Sequence, residues 1–309
     1  MIFSGESAAT EGWADWSVTG LHDADCSSSA CSRLLDPMKR RILTGLPLAL
    51  VVVYLIVQDR QWLFVLAVLA TVMISLHEYF HISREAGLRG WPWMGYVGAG
   101  LLCLGQMSGF KASGPGESVL LLLLVLAIPV AGLLTVSDLK SYLGAMASTM
   151  LGILYVGFAF SWMIPLRFAE PANGRRLTIL LFLVVWAEDI FAYAIGRMAG
   201  RIPLAKAISP KKTVEGAVAG LAGSILVAWG FSHWFWQTGD KKTVILIGGV
   251  VALAGQAGDL VESALKRAAN LKDSGTILPG HGGLLDRIDS LLFAAPTLWL
   301  VWHLKDFWH

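Results

Sequence analysis

Long apolar stretches are the feature that most constrains how this chain can fold. A helix that crosses a bilayer needs about 20 mostly apolar residues, because the hydrocarbon core is roughly 30 Å thick and each residue rises about 1.5 Å. Nine segments approach this length, namely Ile42–Val57, Trp62–Ile74, Trp91–Met107, Val119–Val136, Ala145–Pro165, Leu177–Ala194, Ala217–Trp236, Val244–Gln256 and Leu291–Leu304. The pattern predicts an all-α, polytopic integral membrane protein with about nine transmembrane helices, of which the second and the eighth are short.

The composition agrees with residence in a membrane. Hydrophobic residues make up 55% of the 309 residues and charged residues only 15%, whereas a soluble domain carries about 25% charged residues to solvate its surface. This balance excludes a disordered chain and argues against an ordinary water-soluble enzyme. The net charge of +2 is too small to indicate nucleic acid as a partner.

The apolar pattern divides the chain into three parts. Residues 1–37 form a polar leader that lacks the basic stretch and apolar core of a secretory signal, and we expect it to be disordered and cytoplasmic. Residues 38–170 are predicted as N-terminal transmembrane helices, and residues 171–309 as a C-terminal catalytic transmembrane region. More Lys and Arg residues fall in loops on the leader's side, which predicts that this side faces the cytoplasm.

Two regions on that side are richer in charge than connecting loops require. In the first, Glu188 and Asp189 interrupt an apolar stretch. A carboxylate at membrane depth costs roughly 2.5–3.5 kcal/mol unless it meets a cation, a partner or a polar cavity. The two acids are therefore either satisfied by a nearby basic side chain or part of a substrate or metal cavity.

The segment that follows, Ser209 to Gly216, is typical of a helix start. Pro210 suits the first turn, Ser209 can cap it, and Glu215 falls in the following turn. A helix N-terminus with Lys211 and Lys212 beside it would attract phosphate. The alternative is that both lysines anchor the chain to anionic lipid headgroups.

The second region carries an alternating charged face and a glycine-rich turn. Helical spacing would place five residues on one face, which are Asp259, Glu262, Ser263, Lys266 and Arg267. Taken alone, this face could be a solvated salt-bridged surface. Pro279 to Gly283 cannot be helical, and its three glycines allow backbone N–H groups to form an anion nest. His281 either binds phosphate or caps the turn, and Asp286 and Asp289 open the last helix.

Together these residues predict a magnesium site for phosphate chemistry. Carboxylates combined with water and phosphate oxygens are the usual environment of Mg²⁺, and the chain has no Walker loop or zinc spacing. We therefore infer metal-assisted phosphoryl or nucleotidyl transfer at a membrane-embedded, cytoplasm-facing polar cavity. His77, Glu78 and His81 follow the second span, where they could form a metal pair or, as the simpler interpretation, a cytoplasmic helix cap.

The polar motifs resemble those of a known family. The second region reads Ser263-Ala-Leu-Lys266-Arg267, Lys272-Asp273-Ser-Gly275, Leu278-Pro279 and His281-Gly282-Gly283-Leu-Leu-Asp286-Arg287-Ile-Asp289. This series resembles the signature of the phosphatidate cytidylyltransferases, or CDP-diacylglycerol synthases. Ser209 to Gly216, and Asp189 to Arg197, resemble two further segments of that family.

The resemblance implies an enzyme that converts CTP and phosphatidic acid to CDP-diacylglycerol and pyrophosphate in phospholipid biosynthesis. It also implies a homodimer in a bacterial inner membrane that uses Mg²⁺, alone or with a monovalent cation. The family's metal-binding aspartates fall on Asp259 and Asp286, and its motif lysines on Lys266 and Lys272. The predicted catalytic residues are Asp259, Ser263, Lys266 and Asp286, and the predicted metal ligands are Asp189, Asp259, Asp286 and Asp289. The predicted substrate-binding residues are Ser209, Lys211, Lys212, Thr213, Glu215, Arg267, Lys272, Asp273, His281, Gly282, Gly283 and Arg287.

In this interpretation Ser263 positions a ligand or bonds within its helix, the alternative being a covalent nucleophile. Two other functions compete. A CTP-dependent polyprenol or phytol kinase would release CDP in place of pyrophosphate, and a transporter of an anionic substrate would also suit an intramembrane Asp189. The transporter is disfavoured because no inverted repeat is evident.

Overall fold

The computed structural model describes residues 45, 47–107, 115–135, 138–168, 172–236, 241–277 and 282–305. Throughout these residues the regular structure is helical apart from one short β-hairpin. The predicted leader and His281 lie outside the described residues. The helices are α1 (Pro47–Val57), α2 (Gln61–Glu85), α3 (Pro92–Gly105), α4 (Pro115–Thr135), α5 (Leu139–Gly152), α6 (Ala159–Ser161), α7 (Met163–Phe168), α8 (Gly174–Ala199), α9 (Val214–Trp234), α10 (Lys241–Ala268) and α11 (Leu285–Leu304).

The described residues of each of the nine predicted apolar segments fall mainly on one of these helices or on the continuous α5–α7 stretch. Among the described residues, six helices are long and apolar enough to cross a bilayer, which supports an all-helical membrane protein. The second and eighth segments are not short: α2 has 25 residues and α10 has 28. The prediction stopped where charged residues begin, whereas both helices continue because their ends lie among other polar groups of the protein.

One predicted helix start is wrong. Ser209–Thr213 forms strand β2, which pairs antiparallel with strand β1 (Pro203–Ala205). The fixed φ of Pro210 suits an edge strand as well as the first turn of a helix. Helix α9 begins only at Val214, and its cap is Thr213, whose hydroxyl accepts a hydrogen bond from the N–H of Gly216 at 3.2 Å.

The apolar stretch from Leu139 to Phe168, which is long enough to cross a bilayer, contains a local change of helix type. Asp138 caps its start by accepting a hydrogen bond from the N–H of Lys140 at 3.0 Å. Residues Ile153–Phe158 then form a π-helical turn before α6 and α7. Such turns are frequent at functional sites because the inserted residue re-aims the side chains beside it.

Helices α8 and α9 pack closely through small residues. A Cβ placed on Gly216 would lie 2.8 Å from the carbonyl oxygen of Ala192 and 3.1 Å from the Cα of Gly196. These glycines therefore allow the close helix packing that is common between membrane helices. One buried core runs from α2 through α8 and α10 to α11, and the predicted boundary between residues 170 and 171 stays a prediction.

Candidate active site

A cavity of 670 Å³ opens between α8, the β-hairpin, α9 and α10. Its lining combines acids from α8 and α10 with lysines from β2. The residues that line it are Glu188, Asp189, Ala192, Tyr193, Gly196, Arg197, Leu204, Ser209, Lys211, Lys212, Thr213, Gly216, Ala217, Gln256, Asp259 and Leu260. Six of the predicted site residues are thus brought together here, which are Asp189, Ser209, Lys211, Lys212, Thr213 and Asp259.

Helix α8 presents one polar stripe to the cavity. Glu188 and Asp189 are followed one turn later by Tyr193 and a further turn later by Arg197, whose guanidinium donates to the Tyr193 hydroxyl at 3.0 Å. Residues four apart share a helix face. The predicted site set omitted Tyr193 and Arg197, although the segment from Asp189 to Arg197 was itself a recognised motif and could have indicated them.

Gln256 is a further cavity residue that the sequence interpretation missed. Its side-chain amide donates to the carbonyl oxygen of Ala217 at 2.8 Å and so joins α10 to α9. A lone Gln at the end of an apolar run offers no charge signal. Only its position three residues before Asp259, on the same helix face, could have pointed to it.

Lys212 and Asp259 form an ion pair across the cavity, between β2 and α10. Their side chains are 29% and 30% exposed, although the ammonium nitrogen of Lys212 is itself buried. Both residues line the cavity, so a ligand that enters can contact each of them.

A second polar cluster lies deeper and does not line the cavity. The ammonium of Lys266 is 2.5 Å from Glu262 Oε2 and 2.6 Å from Asp286 Oδ1. The side chain of Glu262 is fully buried, and those of Lys266 and Asp286 are nearly so. Breaking a buried pair leaves an uncompensated charge, which makes this cluster a structural element of the site.

Asp286 also organises the glycine-rich turn. Its carboxylate accepts hydrogen bonds from the N–H groups of Ser274 at 3.0 Å and Gly283 at 2.8 Å. Gly282 has a φ of 79°, a conformation that favours glycine. Of the predicted anion nest, the structure describes Gly282 and Gly283, and the N–H group of Gly283 binds the chain's own Asp286 carboxylate.

Several predicted substrate-binding residues lie outside the cavity lining and make contacts within the protein. Glu215 accepts from the N–H of Ile202 at the base of the hairpin. Arg267 donates to the carbonyl oxygens of Ile208 and Leu271, which ties α10 to the hairpin. Lys272 and Asp273 are exposed, and Ser263, Gly282, Arg287 and Asp289 also lie outside the lining. Their roles toward substrate stay predictions.

The acids near the cavity repel one another. Asp259 acts electrostatically on both Asp189 and Asp289, while Lys212 and Arg287 partly offset the charge of Asp189. No three His, Cys, Asp or Glu residues in the described part of the chain are grouped so as to hold a metal ion by themselves. Mg²⁺ commonly binds through one or two carboxylates and completes its shell with water and substrate phosphates, so the oxygen donors present suit this ion.

Tyr155 lies on the π-helical turn and is buried beside the same acids. Its hydroxyl has no hydrogen-bond partner among the described residues, and its ring packs edge-on against Phe293 at 6.2 Å between centroids. It interacts electrostatically with Glu262 and Asp289. The sequence offered no signal for this residue because a Tyr within an apolar segment is typical of a core position.

The sequence of this chain is similar to those of known cytidylyltransferases. The model of the cytidylyltransferase family matches residues 39–305. A phosphatidate cytidylyltransferase of Synechocystis sp. is 33% identical over 270 residues, covering 77% of this chain and 87% of that protein. One of Bacillus subtilis is 33% identical over 273 residues, covering 85% of this chain and 97% of that protein. One of Staphylococcus epidermidis is 41% identical over 152 residues, covering 49% of this chain and 57% of that protein.

Proposed function

The chain belongs to the cytidylyltransferase family, and from this premise we propose that it converts CTP and phosphatidate to CDP-diacylglycerol and pyrophosphate. The family match and the names of the relatives support this activity and both of its substrates. The observation in the structure that carries the site is the cavity in which two lysines of β2 meet the acids of α8 and α10.

The cavity has the size and charge that CTP requires. Nucleotide-sized ligands occupy clefts of about 300–1,000 Å³, and this one measures 670 Å³. Lys211 and Lys212 provide positive charge for the triphosphate. Hydrogen bonds from ionised lysines to phosphate oxygens are stronger than those between neutral groups. We propose that the triphosphate lies against β2.

The reaction is an in-line displacement at the α-phosphorus of CTP. A phosphate oxygen of phosphatidate forms the new P–O bond, the bond to the β-phosphate oxygen breaks, and pyrophosphate leaves with the electron pair. Both reactants are anions, so the barrier is largely electrostatic and is lowered by fixed positive charge. The lipid phosphate is already ionised near neutral pH, so the chain needs no strong general base. Ser263 is then a positioning hydroxyl.

We propose Mg²⁺ as the cofactor, alone or with a monovalent cation. Asp259 and Asp189 supply carboxylate oxygens on the cavity wall, and Asp289 adds negative charge close by. When bound, the ion supplies neutralisation of phosphate charge and orientation of the leaving group. Asp286 stays a predicted ligand, although its oxygens already accept hydrogen bonds from Lys266, Ser274 and Gly283.

We propose that the chain crosses the inner membrane of a bacterial cell about nine times. We also propose that its cavity faces the cytoplasm. The distribution of Lys and Arg between the loops supports this orientation, and the bacterial relatives support the cell type. CTP is a cytoplasmic solute and phosphatidate lies in the membrane, so a cavity at the inner leaflet would give both substrates access. A homodimer stays a prediction from the family resemblance.

The activity is tested with the purified full chain in detergent. CTP, phosphatidate and Mg²⁺ should yield pyrophosphate and CDP-diacylglycerol in equal amounts, and replacing CTP by other nucleotides should abolish the reaction. Release of CDP together with a phosphorylated lipid alcohol would instead identify a CTP-dependent lipid kinase. The absence of any product, with nucleotide or lipid phosphate crossing reconstituted vesicles, would identify a transporter.

The cavity is tested by Asp259→Asn. We expect kcat to fall by at least about a hundredfold, because the change removes a carboxylate that would hold the metal ion beside the reacting phosphates, while it keeps the side-chain shape. Glu85→Gln, on an exposed part of α2, is the control and should retain wild-type kcat. Full activity of folded Asp259→Asn would contradict the placement of the reaction in this cavity.

A further inference from the structure

Glu78 joins the N-terminal half of the chain to the signature region. It lies on α2 and is only 2% exposed. Its carboxylate accepts hydrogen bonds from the Ser274 hydroxyl at 2.9 Å and from the N–H groups of Leu284 at 2.9 Å and Leu285 at 2.7 Å. All three donors are about 200 residues away along the chain, so this contact exists only in the folded protein.

The two amide donors are the groups that the start of a helix leaves without partners. Helix α11 begins at Leu285 and has no side-chain cap of its own from Leu284. The first N–H groups of a helix need an external acceptor, and a carboxylate is favoured there by the helix dipole. Glu78 therefore supplies the N-terminal cap of α11 from a different helix.

Two glycines of the signature leave room for this carboxylate. A Cβ on Gly275 would lie 2.7 Å from Glu78 Oε1, and a Cβ on Gly283 would lie 2.5 Å from Glu78 Oε2. Both distances are below 3.0 Å, so the carboxylate would have to shift, and its hydrogen bonds to Ser274, Leu284 and Leu285 oppose that shift. These glycines are thus required by an internal anion, in addition to any approach they allow to a substrate phosphate.

Helix α11 carries acids of the site in its first turns. Asp286 is bound to Lys266 and to the N–H groups of Ser274 and Gly283, and Asp289 lies one turn further on. Ser274 is shared, because its N–H donates to Asp286 while its hydroxyl donates to Glu78. Moving Glu78 would therefore shift the turn and the start of α11 together.

We propose that Glu78 is a positioning residue for cytidylyl transfer, which holds the glycine-rich turn and the start of α11 in the arrangement that the reaction requires. It does not line the cavity, so it acts through Ser274 and the α11 acids. The proposal rests on the proposed function for its kinetic readout, and on hydrogen bonds within the chain for its structural one.

The test compares Glu78→Gln with Glu85→Gln, the same change on an exposed part of the same helix. The amide keeps the shape of Glu78 but turns one acceptor oxygen into a donor that faces other donors. We expect Glu78→Gln to lower kcat by at least about tenfold, because small misplacements of catalytic groups are costly. The KM for CTP should stay within about threefold, because Glu78 does not contact the cavity.

Ser274→Ala is the second variant and removes only the hydroxyl link. It should lower kcat by about threefold by itself, and it should add little in the Glu78→Gln background, because both changes break the same contact. If Glu78→Gln does not fold in detergent, Ser274→Ala decides: an unchanged kcat overturns the proposal. Fully additive losses in the double variant overturn it as well.

Hydrogen exchange gives a readout that does not depend on activity. Peptides that cover Gly282 to Ser290 should take up deuterium faster in Glu78→Gln than in wild type, whereas peptides from the β-hairpin should not change. Unchanged exchange in the first segment overturns the proposal. If the wild-type protein forms no CDP-diacylglycerol but Glu78→Gln still exchanges faster than wild type in this segment, the proposed function is refuted. The structural role of Glu78 is then still supported.

Discussion

At the scale of single residues, two lysines of the site differ in what surrounds them. Lys212 pairs with Asp259 on the wall of the cavity, whereas Lys266 is held between Glu262 and Asp286 in the interior. Removing one partner from a buried cluster costs about 3–5 kcal/mol. Loss of Lys266 would therefore unfold the site as well as inactivate it, and Lys212 is the better probe of substrate binding.

We expect Lys212→Met to raise the KM for CTP by about tenfold or more, because a charge-assisted hydrogen bond to phosphate is worth about 1.5–3 kcal/mol. Lys206→Met is the control, since Lys206 is exposed on the same hairpin and does not line the cavity. Steady-state kinetics at varied CTP measure both. Equal KM values for the two variants would show that β2 does not bind the triphosphate.

At the scale of elements, the site depends on how closely α8 and α9 approach. Gly216 lies at the start of α9 against backbone atoms of α8, and Thr213 caps the same turn. The contact holds the hairpin over the cavity, because β2 leads directly into α9. A side chain at Gly216 cannot be accommodated by a rotamer change alone, since two of the three atoms nearest to its Cβ belong to the main chain of α8.

Gly216→Ala should therefore lower the apparent Tm in detergent by at least about 3 °C, because overpacking typically costs about 1–3 kcal/mol. Gly249→Ala is the matched control, since its new Cβ would meet Ile225 at an ordinary 3.5 Å. That variant should be neutral or slightly more stable. A Tm of Gly216→Ala equal to that of Gly249→Ala would contradict the close packing.

At the scale of the whole molecule, polar clusters mark both ends of the helices. Opposite the cavity end of α8, Asp59 pairs with Arg167 and Arg175. Arg167 is buried and also donates to the carbonyl oxygens of Ile56 at 2.8 Å and Gln58 at 3.0 Å. The hydrogen bond from Arg175, together with that from Arg167, holds the pKa of Asp59 below its usual value. This clamp ties the α1–α2 connection to α7 and α8.

The orientation of the molecule in the membrane can be tested by finding which end of α8 is accessible to a reagent outside the cell. Arg176 lies in its first turn and Lys206 in the hairpin beyond its last turn, and both are exposed. In a variant whose native cysteines are replaced by Ser, Arg176→Cys should react with a membrane-impermeant maleimide in intact cells. Lys206→Cys should react only after lysis, and the reverse pattern would place the cavity outside the cytoplasm.

The sequence by itself determined the membrane class, the approximate positions of the helices and the identity of the family. These are local properties: the length of an apolar run sets whether a helix can span a bilayer, and the signature is a contiguous pattern of residues. The charged face of α10 was also predictable, because helical spacing alone aligns Asp259 with Lys266.

Only the tertiary structure decided which charged groups meet. Lys212 pairs with Asp259, Asp286 with Lys266, and Glu78 with a turn about 200 residues away, and separation along the chain carries no information about these distances. The strand at Ser209–Thr213 replaced an expected helix start, since Pro210 is compatible with both and the pairing partner, β1, lies outside the predicted motif. The need for Gly275 and Gly283 is likewise visible only in the folded structure, because the Glu78 carboxylate lies where their side chains would be.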